Sequence, residues 1–368
     1  MVTAMKINEL TTPIKTPTLV LKEKTAKRNL ARMAEKARAQ GVRLRPHFKT
    51  HQSALVGEWA REAGVERITV SSVEMARTFA GQGWHDILIA FPVNLREGAE
   101  INQLAGEIEL GVLVESVESV RFLDEQLDNC AEAWIKVDTG MGRAGIWWQD
   151  IEGIIALAKA LDSARRLRLR GLLTHAGQTY RASSPGEILS LYAESNTRML
   201  AAHGALEAAG FSGLEISAGD TPGCWLSEDL GEVDEIRPGN FVFFDAMMHH
   251  LGVCRMEDIA VSVACPVVAK HAGDLEAVVY GGAVHLSKES ITMNGHISYG
   301  YAALEDEGGW RFAGMDNYMR SLSQEHGIAR LDAESFAELQ ICGLLYVIPA
   351  HVCLAVHALK SQFVILPD

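Results

Sequence analysis

Lys49 lies in a stretch whose residue types could support covalent chemistry. The segment Leu44-Arg45-Pro46-His47-Phe48-Lys49-Thr50-His51 has a histidine two residues to either side of the lysine. Apolar residues predict a buried strand over Val42–His47 and a helix over Gln52–Ala63. A lysine at the C-terminal end of a barrel strand is well placed to be an amine nucleophile. On position alone, a solvated lysine at a βα turn is the simpler interpretation.

Two loops after later predicted strands add polar groups. Asp138-Thr139-Gly140-Met141-Gly142-Arg143-Ala144-Gly145 follows the strand Trp134–Asp138 and combines three glycines with an arginine. Such a loop can approach a ligand closely and present a fixed charge. His175-Ala176-Gly177-Gln178-Thr179-Tyr180 follows the next strand and offers an imidazole and a phenol. A plain glycine turn and a core histidine are the structural alternatives.

A third loop has the composition of a phosphate site. Ser217-Ala218-Gly219-Asp220-Thr221-Pro222-Gly223 follows the seventh predicted strand and precedes a helix. Backbone N–H groups at a helix start bind phosphate well, and barrels often hold a phosphate after strands seven and eight. No Walker-type lysine is present, so a simple turn remains the alternative.

The segment Pro349-Ala350-His351-Val352-Cys353 could hold a metal ion. If it is a strand, residues i and i+2 share one face, so His351 and Cys353 could bind one ion together. A nitrogen and a thiolate suit zinc best, and two ligands leave positions open for water or substrate. A core histidine beside a buried cysteine is the alternative.

The elements that would position these residues alternate between strand and helix. The predicted strands are Val42–His47, Ile68–Ser71, Ile87–Ala90, Gly111–Glu115, Trp134–Asp138, Leu169–His175, Leu214–Ala218 and Glu235–Pro238, with Thr18–Leu21 before them. Nearly all are continuous apolar runs, as in parallel strands that are buried on both faces. The pattern predicts an α/β fold with a (β/α)8 TIM-like barrel, although it leaves an open doubly wound sheet possible and does not show which strand lies outside the barrel.

The pattern changes after about residue 251, where long helical patterns stop. Ile259–Val268, Leu275–Tyr280, Leu344–Ile348 and Phe363–Leu366 read as strands. They predict a C-terminal antiparallel β domain. We therefore expect a barrel over residues 15–250 and a β domain over residues 251–368. The β domain also includes residues 1–22 and carries the His-x-Cys pair.

Composition excludes several classes of function. The chain of 368 residues has a formal net charge of −13, which argues against nucleic acid and anionic membranes as partners. No stretch reaches the length of an apolar membrane span, and the N-terminus has no pattern of a secretory signal. Six cysteines without a C-x-x-C pair predict reduced thiols in a cytoplasmic protein.

Together these segments resemble the D-serine dehydratase and D-threonine aldolase family, pyridoxal-phosphate enzymes with an alanine racemase-type barrel. The resemblance includes the Lys49 segment, the glycine–arginine loop, Gly219-Asp220-Thr221-Pro222, Glu235-Ile236-Arg237-Pro238-Gly239 and the His-x-Cys segment. These blocks occur in the family's order. The resemblance implies that Thr18–Leu21 belongs to the β domain and that the lysine strand opens the barrel.

The resemblance also implies a role for each candidate residue. Lys49 would carry pyridoxal phosphate as a Schiff base and serve as the catalytic base, and His351 and Cys353 would bind a divalent metal. The remaining candidates would contact the cofactor or transfer protons: Gly219, Asp220 and Thr221 at the phosphate, Tyr180 at the pyridine nitrogen, Arg143 at the ring hydroxyl, and His47, His51 and His175 around them. The roles of Tyr180 and Arg143 could be exchanged.

The implied reaction is lyase chemistry on a small D-3-hydroxy amino acid, in a homodimer. Removal of the α-proton would release the hydroxyl and produce a keto acid and ammonia, whereas Cα–Cβ cleavage would release an aldehyde and glycine. Aldolase members carry a carboxylate where this chain has Cys353, so we favour the dehydratase. The thiolate favours zinc over manganese or magnesium. An amino-acid racemase and a non-catalytic pyridoxal-phosphate carrier are further alternatives, and residues 255–368 argue against the carrier.

Overall fold

A computed structural model describes residues 13–366 of the chain. These residues form two compact units. The barrel unit comprises Ala31–Lys49 and Ala54–Gly239. The β unit comprises the described residues up to Leu30, the short segment Thr50–Ser53, and the described residues from Asn240 onward. Residues 1–12 and 367–368, which we expected in the β domain, lie outside the described residues.

Strands and helices alternate from the start of the described chain through the barrel. The strands are β1 (Thr18–Lys22), β2 (Arg43–Leu44), β3 (Arg67–Val70), β4 (Asp86–Pro92), β5 (Glu109–Val114), β6 (Ala131–Asp138), β7 (Ile146–Trp147), β8 (Leu167–Leu173), β9 (Glu215–Ala218) and β10 (Glu235–Ile236). The helices are α1 (Glu23–Ala39), α2 (Ala54–Glu62), α3 (Val73–Ala80), α4 (Gly98–Glu107), α5 (Val117–Gln126), α6 (Ile151–Asp162), α7 (Pro185–Ala208) and α8 (Thr221–Leu226).

Eight parallel strands form the barrel. Their order is β2-β10-β9-β8-β6-β5-β4-β3, and a parallel bridge between His47 and Thr69 joins the first strand to the last. This topology confirms the predicted (β/α)8 TIM-like barrel, and the alternative of an open sheet is wrong. Leu88, Leu113, Trp134 and Leu173 form a buried cluster contributed by four of these strands. Their burial explains why the strands read as continuous apolar runs.

The β unit contains the remaining elements. They are α9 (Ala246–His250), β11 (Val261–His271), β12 (Glu276–Tyr280), α10 (Ala283–Leu286), β13 (Ile291–Met293), β14 (His296–Ser298), β15 (Gly300–Asp306), β16 (Gly309–Phe312), β17 (Tyr318–Leu322), β18 (His326–Arg330), α11 (Ala333–Glu338), β19 (Leu344–Pro349), α12 (Val352–Leu359) and β20 (Phe363–Leu366).

Most strands of the β unit form one mainly antiparallel sheet, as predicted. Its order is β12-β18-β17-β15-β19-β11-β1-β20, with β16 paired to β15. β1 pairs antiparallel with β11 and parallel with β20, which confirms that Thr18–Leu21 lies outside the barrel. Sequence patterns missed β15 to β18. β15 begins with Gly300-Tyr301-Ala302-Ala303, where glycine and alanine weaken the β signal. Among the described residues, no helix is long and apolar enough to span a membrane.

Candidate active site

Lys49 comes directly after the two residues whose backbone hydrogen bonds close the barrel. The N–H of His47 donates to Pro238 O at 2.9 Å, and the N–H of Phe48 donates to Thr69 O at 2.8 Å. The chain is therefore held between β10 and β3 up to the residue before Lys49. The lysine itself is half-buried. The predicted position at the carboxyl end of a barrel strand is thus observed, and in such barrels this end carries the active site.

Two histidines of the barrel unit lie near Lys49. Burial, and then the Lys49 charge, hold the pKa of His47 and that of His175 well below their usual range, so both imidazoles are neutral. Nδ1 of His175 lies 3.1 Å from the carbonyl oxygen of Gly219. Because a carbonyl only accepts, Nδ1 carries the proton and Nε2 retains its lone pair. The Tyr180 ring lies 6.2 Å from that of His175, measured between centroids.

The glycine–arginine loop is folded around one carboxylate. Asp138 accepts N–H groups from Gly140, Met141 and Gly142 at 2.9 to 3.2 Å. The far end of the loop needs glycine: Gly145 has a φ of +108°, and a Cβ there would lie 2.8 Å from the Asp138 nitrogen. This turn presents the exposed Arg143, whose charge reaches His175 and contributes to its low pKa.

The predicted phosphate loop lies at the start of α8. Gly219 has a φ of +116°, and the hydroxyl of Thr221 accepts the N–H of Gly239 at 3.2 Å. The loops after the seventh and eighth barrel strands therefore meet at Thr221. The Asp220 side chain instead caps α8 through the N–H of Gly223 and accepts the Thr179 hydroxyl at 2.9 Å. Burial raises the pKa of Asp220 to about 7.

Two buried basic side chains of the barrel unit, Arg237 and Lys136, were not among the predicted site residues. Arg237, on the loop after β10, donates to Ser217 Oγ at 2.7 Å and to the Thr174 carbonyl, and its charge contributes to the low pKa of His47. Lys136, on β6, donates to the Val137 carbonyl at 2.9 Å, and burial lowers its pKa to about 7. In the sequence, each could have been recognised as a charged residue within an otherwise apolar strand or directly after one.

The barrel unit thus gathers groups that fit pyridoxal phosphate. It offers an amine at Lys49, two neutral imidazoles, and a hydroxyl and amide pair at Thr221 and Gly239 after strands seven and eight. Arg143 and Arg237 add positive charge next to His175. An amine together with a site for an anionic group is the donor set that this cofactor requires.

The His-x-Cys pair does not lie on a strand, so the geometric reason for predicting it was wrong. β19 ends at Pro349, His351 is the N-cap of α12, and Cys353 is in its first turn. The thiol lies 3.4 Å from the hydroxyl of Thr50, the residue after Lys49 in the chain.

Next in the chain, His51 is buried, which lowers its pKa to about 3 and keeps the ring neutral.

The surroundings of His351 favour a cation. Burial alone would lower the pKa of His351, but Cys353 and Asp245 outweigh it and raise the pKa well above the usual range. An imidazole and a thiol in a negative environment fit a borderline-soft divalent ion. Within residues 13–366, no group of three or more His, Cys, Asp or Glu side chains is arranged to hold a metal. If the pair held a metal ion, it would supply two ligands and leave other positions open.

Comparisons with known proteins match both parts of the chain. Residues 22–247 match the alanine racemase N-terminal domain, and residues 260–365 match a serine dehydratase domain. A D-threo-3-hydroxyaspartate dehydratase from Delftia sp. is 33% identical over 92% of this chain and 90% of its own. Its solved structure gives a TM-score of 0.89 at 31% identity, covering 97% of this chain and 95% of that one.

The other relatives include a dehydratase and an aldolase. A D-serine dehydratase from Dictyostelium discoideum is 26% identical over 96% of this chain and 94% of its own. A 3-hydroxy-D-aspartate aldolase from Paracoccus denitrificans is 28% identical over 63% of this chain and 61% of its own. A cysteine-to-alanine mutant of a D-threo-3-hydroxyaspartate dehydratase has been solved in a metal-free form.

Proposed function

This chain belongs to the pyridoxal-phosphate family of D-serine dehydratases and D-threonine aldolases, and on that premise we propose that it is a dehydratase of D-3-hydroxy amino acids. The products would be a keto acid and ammonia. The substrate would be a small molecule of the D-serine or D-3-hydroxyaspartate type. Support comes from the match to a dehydratase over 92% of the chain, which includes both units.

Pyridoxal phosphate, when bound, supplies an electron sink for the negative charge that develops at the substrate's α-carbon. Lys49 would hold it covalently, and Gly219 with Thr221 would hold its phosphate. Tyr180 would lie at the pyridine nitrogen and Arg143 at the ring hydroxyl, or the reverse. The N–H of Gly239 on the Thr221 hydroxyl supports the phosphate assignment. The side-chain contacts of Asp220 support a role in shaping this loop.

Lys49 would also move the proton. Its amine, in the neutral form, would be the group placed to take the substrate's α-proton. His47 and His175 are neutral, so neither adds a positive charge beside Lys49. Nε2 of His175 keeps a lone pair, because Nδ1 donates to Gly219. A proton-transfer role for His51 stays a prediction, and its very low pKa favours a neutral packing role instead.

His351 and Cys353 would hold a divalent ion, with zinc favoured over manganese or magnesium because of the thiolate. Such an ion supplies a Lewis acid that stabilises negative charge on the substrate's 3-hydroxyl as this group leaves. The observation that carries the choice of dehydratase over aldolase is Cys353 itself, a thiol where a carboxylate would suit harder ions. The Paracoccus denitrificans relative makes aldol cleavage the second candidate.

A product assay separates these two functions. The purified holoenzyme is given D-serine, D-threonine and the D-3-hydroxyaspartate isomers, and keto acid with ammonia is measured beside aldehyde with glycine. We expect keto acid and ammonia to dominate. Aldehyde and glycine as the main products would replace the proposal by the aldolase, and binding of these compounds without turnover would favour a carrier.

Two controls test the assigned residues. Lys49→Ala should remove the visible absorbance of the bound cofactor; if the band persists, Lys49 does not hold it. A chelator should abolish the lyase activity and added zinc should restore it, whereas full activity after metal removal would contradict the role of His351 and Cys353. We also propose a cytoplasmic homodimer. The family resemblance supports the dimer, and six cysteines without a C-x-x-C pair support a reducing compartment. Light scattering after size exclusion tests the dimer.

A further inference from the structure

We propose that Asp245 positions His351 for metal binding by holding its ring and the backbone that follows it with a single carboxylate. This inference rests on the proposed function, because it requires His351 to be a metal ligand. Asp245 is not a ligand in the proposal. It acts through His351, and all of the contacts that support it lie within the β unit.

The Asp245 carboxylate is buried and accepts three N–H donors. Its side chain has no solvent exposure. As the N-cap of α9, it accepts the N–H of Met248 on Oδ1 at 2.9 Å. On Oδ2 it accepts the Asn240 side-chain amide at 2.6 Å and the Val352 N–H at 3.0 Å. Burying a carboxylate is costly unless hydrogen-bond donors replace the lost water. These three charge-assisted hydrogen bonds meet that need and hold the carboxylate in one position.

The same oxygen faces the imidazole. Nδ1 of His351 lies 3.2 Å from Oδ2 of Asp245, an ion-pair distance without the alignment of a hydrogen bond. The negative charge so close to Nδ1 favours a proton on that nitrogen, which leaves the Nε2 lone pair for a metal. Val352 separates His351 from Cys353, so its N–H bond to Asp245 also restrains the backbone between the two ligands. Carboxylates that orient a metal-binding histidine in this way raise the affinity of the site.

Glu289 provides a matched comparison. Its Oε2 lies 3.9 Å from the same Nδ1, but its side chain is 45% exposed. Water can replace this contact, because an exposed ion pair contributes little to stability. Changing either carboxylate to an amide removes one negative charge near His351, so only the buried and directed contact distinguishes Asp245 from Glu289.

The test is a zinc titration of the metal-depleted holoenzyme by calorimetry. We expect wild type to bind one ion, His351→Ala to lose that binding, and Asp245→Asn to bind about 10 to 100 times more weakly. Glu289→Gln should stay within about twofold of wild type, because its contact is exposed. If wild type and His351→Ala bind zinc alike, the proposed metal site itself fails. If wild type binds but Asp245→Asn binds equally well, or Glu289→Gln weakens binding as much, only the role of Asp245 is overturned.

Because Asp245 caps α9, circular dichroism checks that Asp245→Asn is folded. A second measurement uses the wild-type protein and so does not depend on whether that variant folds. In zinc-loaded wild type carrying ¹⁵N-labelled histidine, NMR reports which ring nitrogen of His351 is protonated, with His351→Ala assigning the signal. A proton on Nδ1 supports the proposal. Zinc on Nδ1 with a proton on Nε2 overturns it.

Discussion

Glu235→Gln should destabilise the barrel unit through a buried chain of charged groups. Glu235 has no exposure, accepts from Arg45 Nε at 2.7 Å and accepts the Ser217 hydroxyl at 2.7 Å. Ser217 in turn accepts from Arg237, and Arg45 retains a second partner in Asp86, which is 22% exposed. The variant therefore leaves a buried arginine with only one partly hydrated counter-charge.

The expected magnitude follows from that arrangement. Removing one partner of a buried ion pair costs about 3 to 5 kcal/mol. Because Asp86 still compensates Arg45, we expect the lower end of that range, about 3 kcal/mol. Arg237 also loses the ordered partner that Glu235 holds in place. The affinity for pyridoxal phosphate should then fall if Arg237 contributes to the cofactor site.

The assay is urea unfolding followed by circular dichroism, with cofactor affinity measured by fluorescence. Glu194→Gln is the control, since Glu194 pairs with Arg198 on the surface of α7 and is 49% exposed. That variant should change the free energy of unfolding by no more than about 0.5 kcal/mol. Equal, small changes in both variants would refute the reasoning that the buried Glu235 contact differs in kind from the exposed one.

Two more predictions concern stability. Lys136→Met should stabilise the protein at pH 6: burial lowers the lysine pKa from 10.5 to about 7, so the folded state bears the full cost of protonation below pH 7, about 3 to 5 kcal/mol. The gain in the free energy of unfolding should shrink as pH rises toward 10.5 and vanish above it. Urea unfolding of both proteins at several pH values measures this trend. A gain that did not change with pH would contradict a lowered lysine pKa. Gly145→Ala should destabilise by more than about 1 kcal/mol, because its Cβ would meet the Asp138 backbone at 2.8 Å. Gly142→Ala is its control, with a positive φ but nothing within 4 Å; equal melting temperatures of the two variants would refute the steric argument.

Much of the fold was predictable because the barrel is built from local patterns. Strands buried on both faces leave continuous apolar runs, and helices between them leave a 3.6-residue period. The strand candidates fall on the eight barrel strands. The β unit was less predictable, because β15 to β18 carry glycine, alanine and charged residues.

The candidate site was predictable where chemistry depends on loops after strands. Lys49, the glycine–arginine loop and the start of α8 could be found because barrel topology places the loops after parallel strands at one end. The sequence did not show what each side chain does there. Asp220 was expected at the phosphate, and its contacts with Gly223 and Thr179 are set by the packing of α8.

The sequence by itself determined the α/β barrel, the family and the segments proposed for the chemistry, since these depend on residue order and hydrophobic period. Tertiary structure alone decided the charge state of buried groups and the partners of His351 and Cys353. A pKa depends on burial and on charges distant in sequence, as for Lys136 and His175. Asp245 reaches Val352 across 107 positions of sequence, a contact that only folding creates.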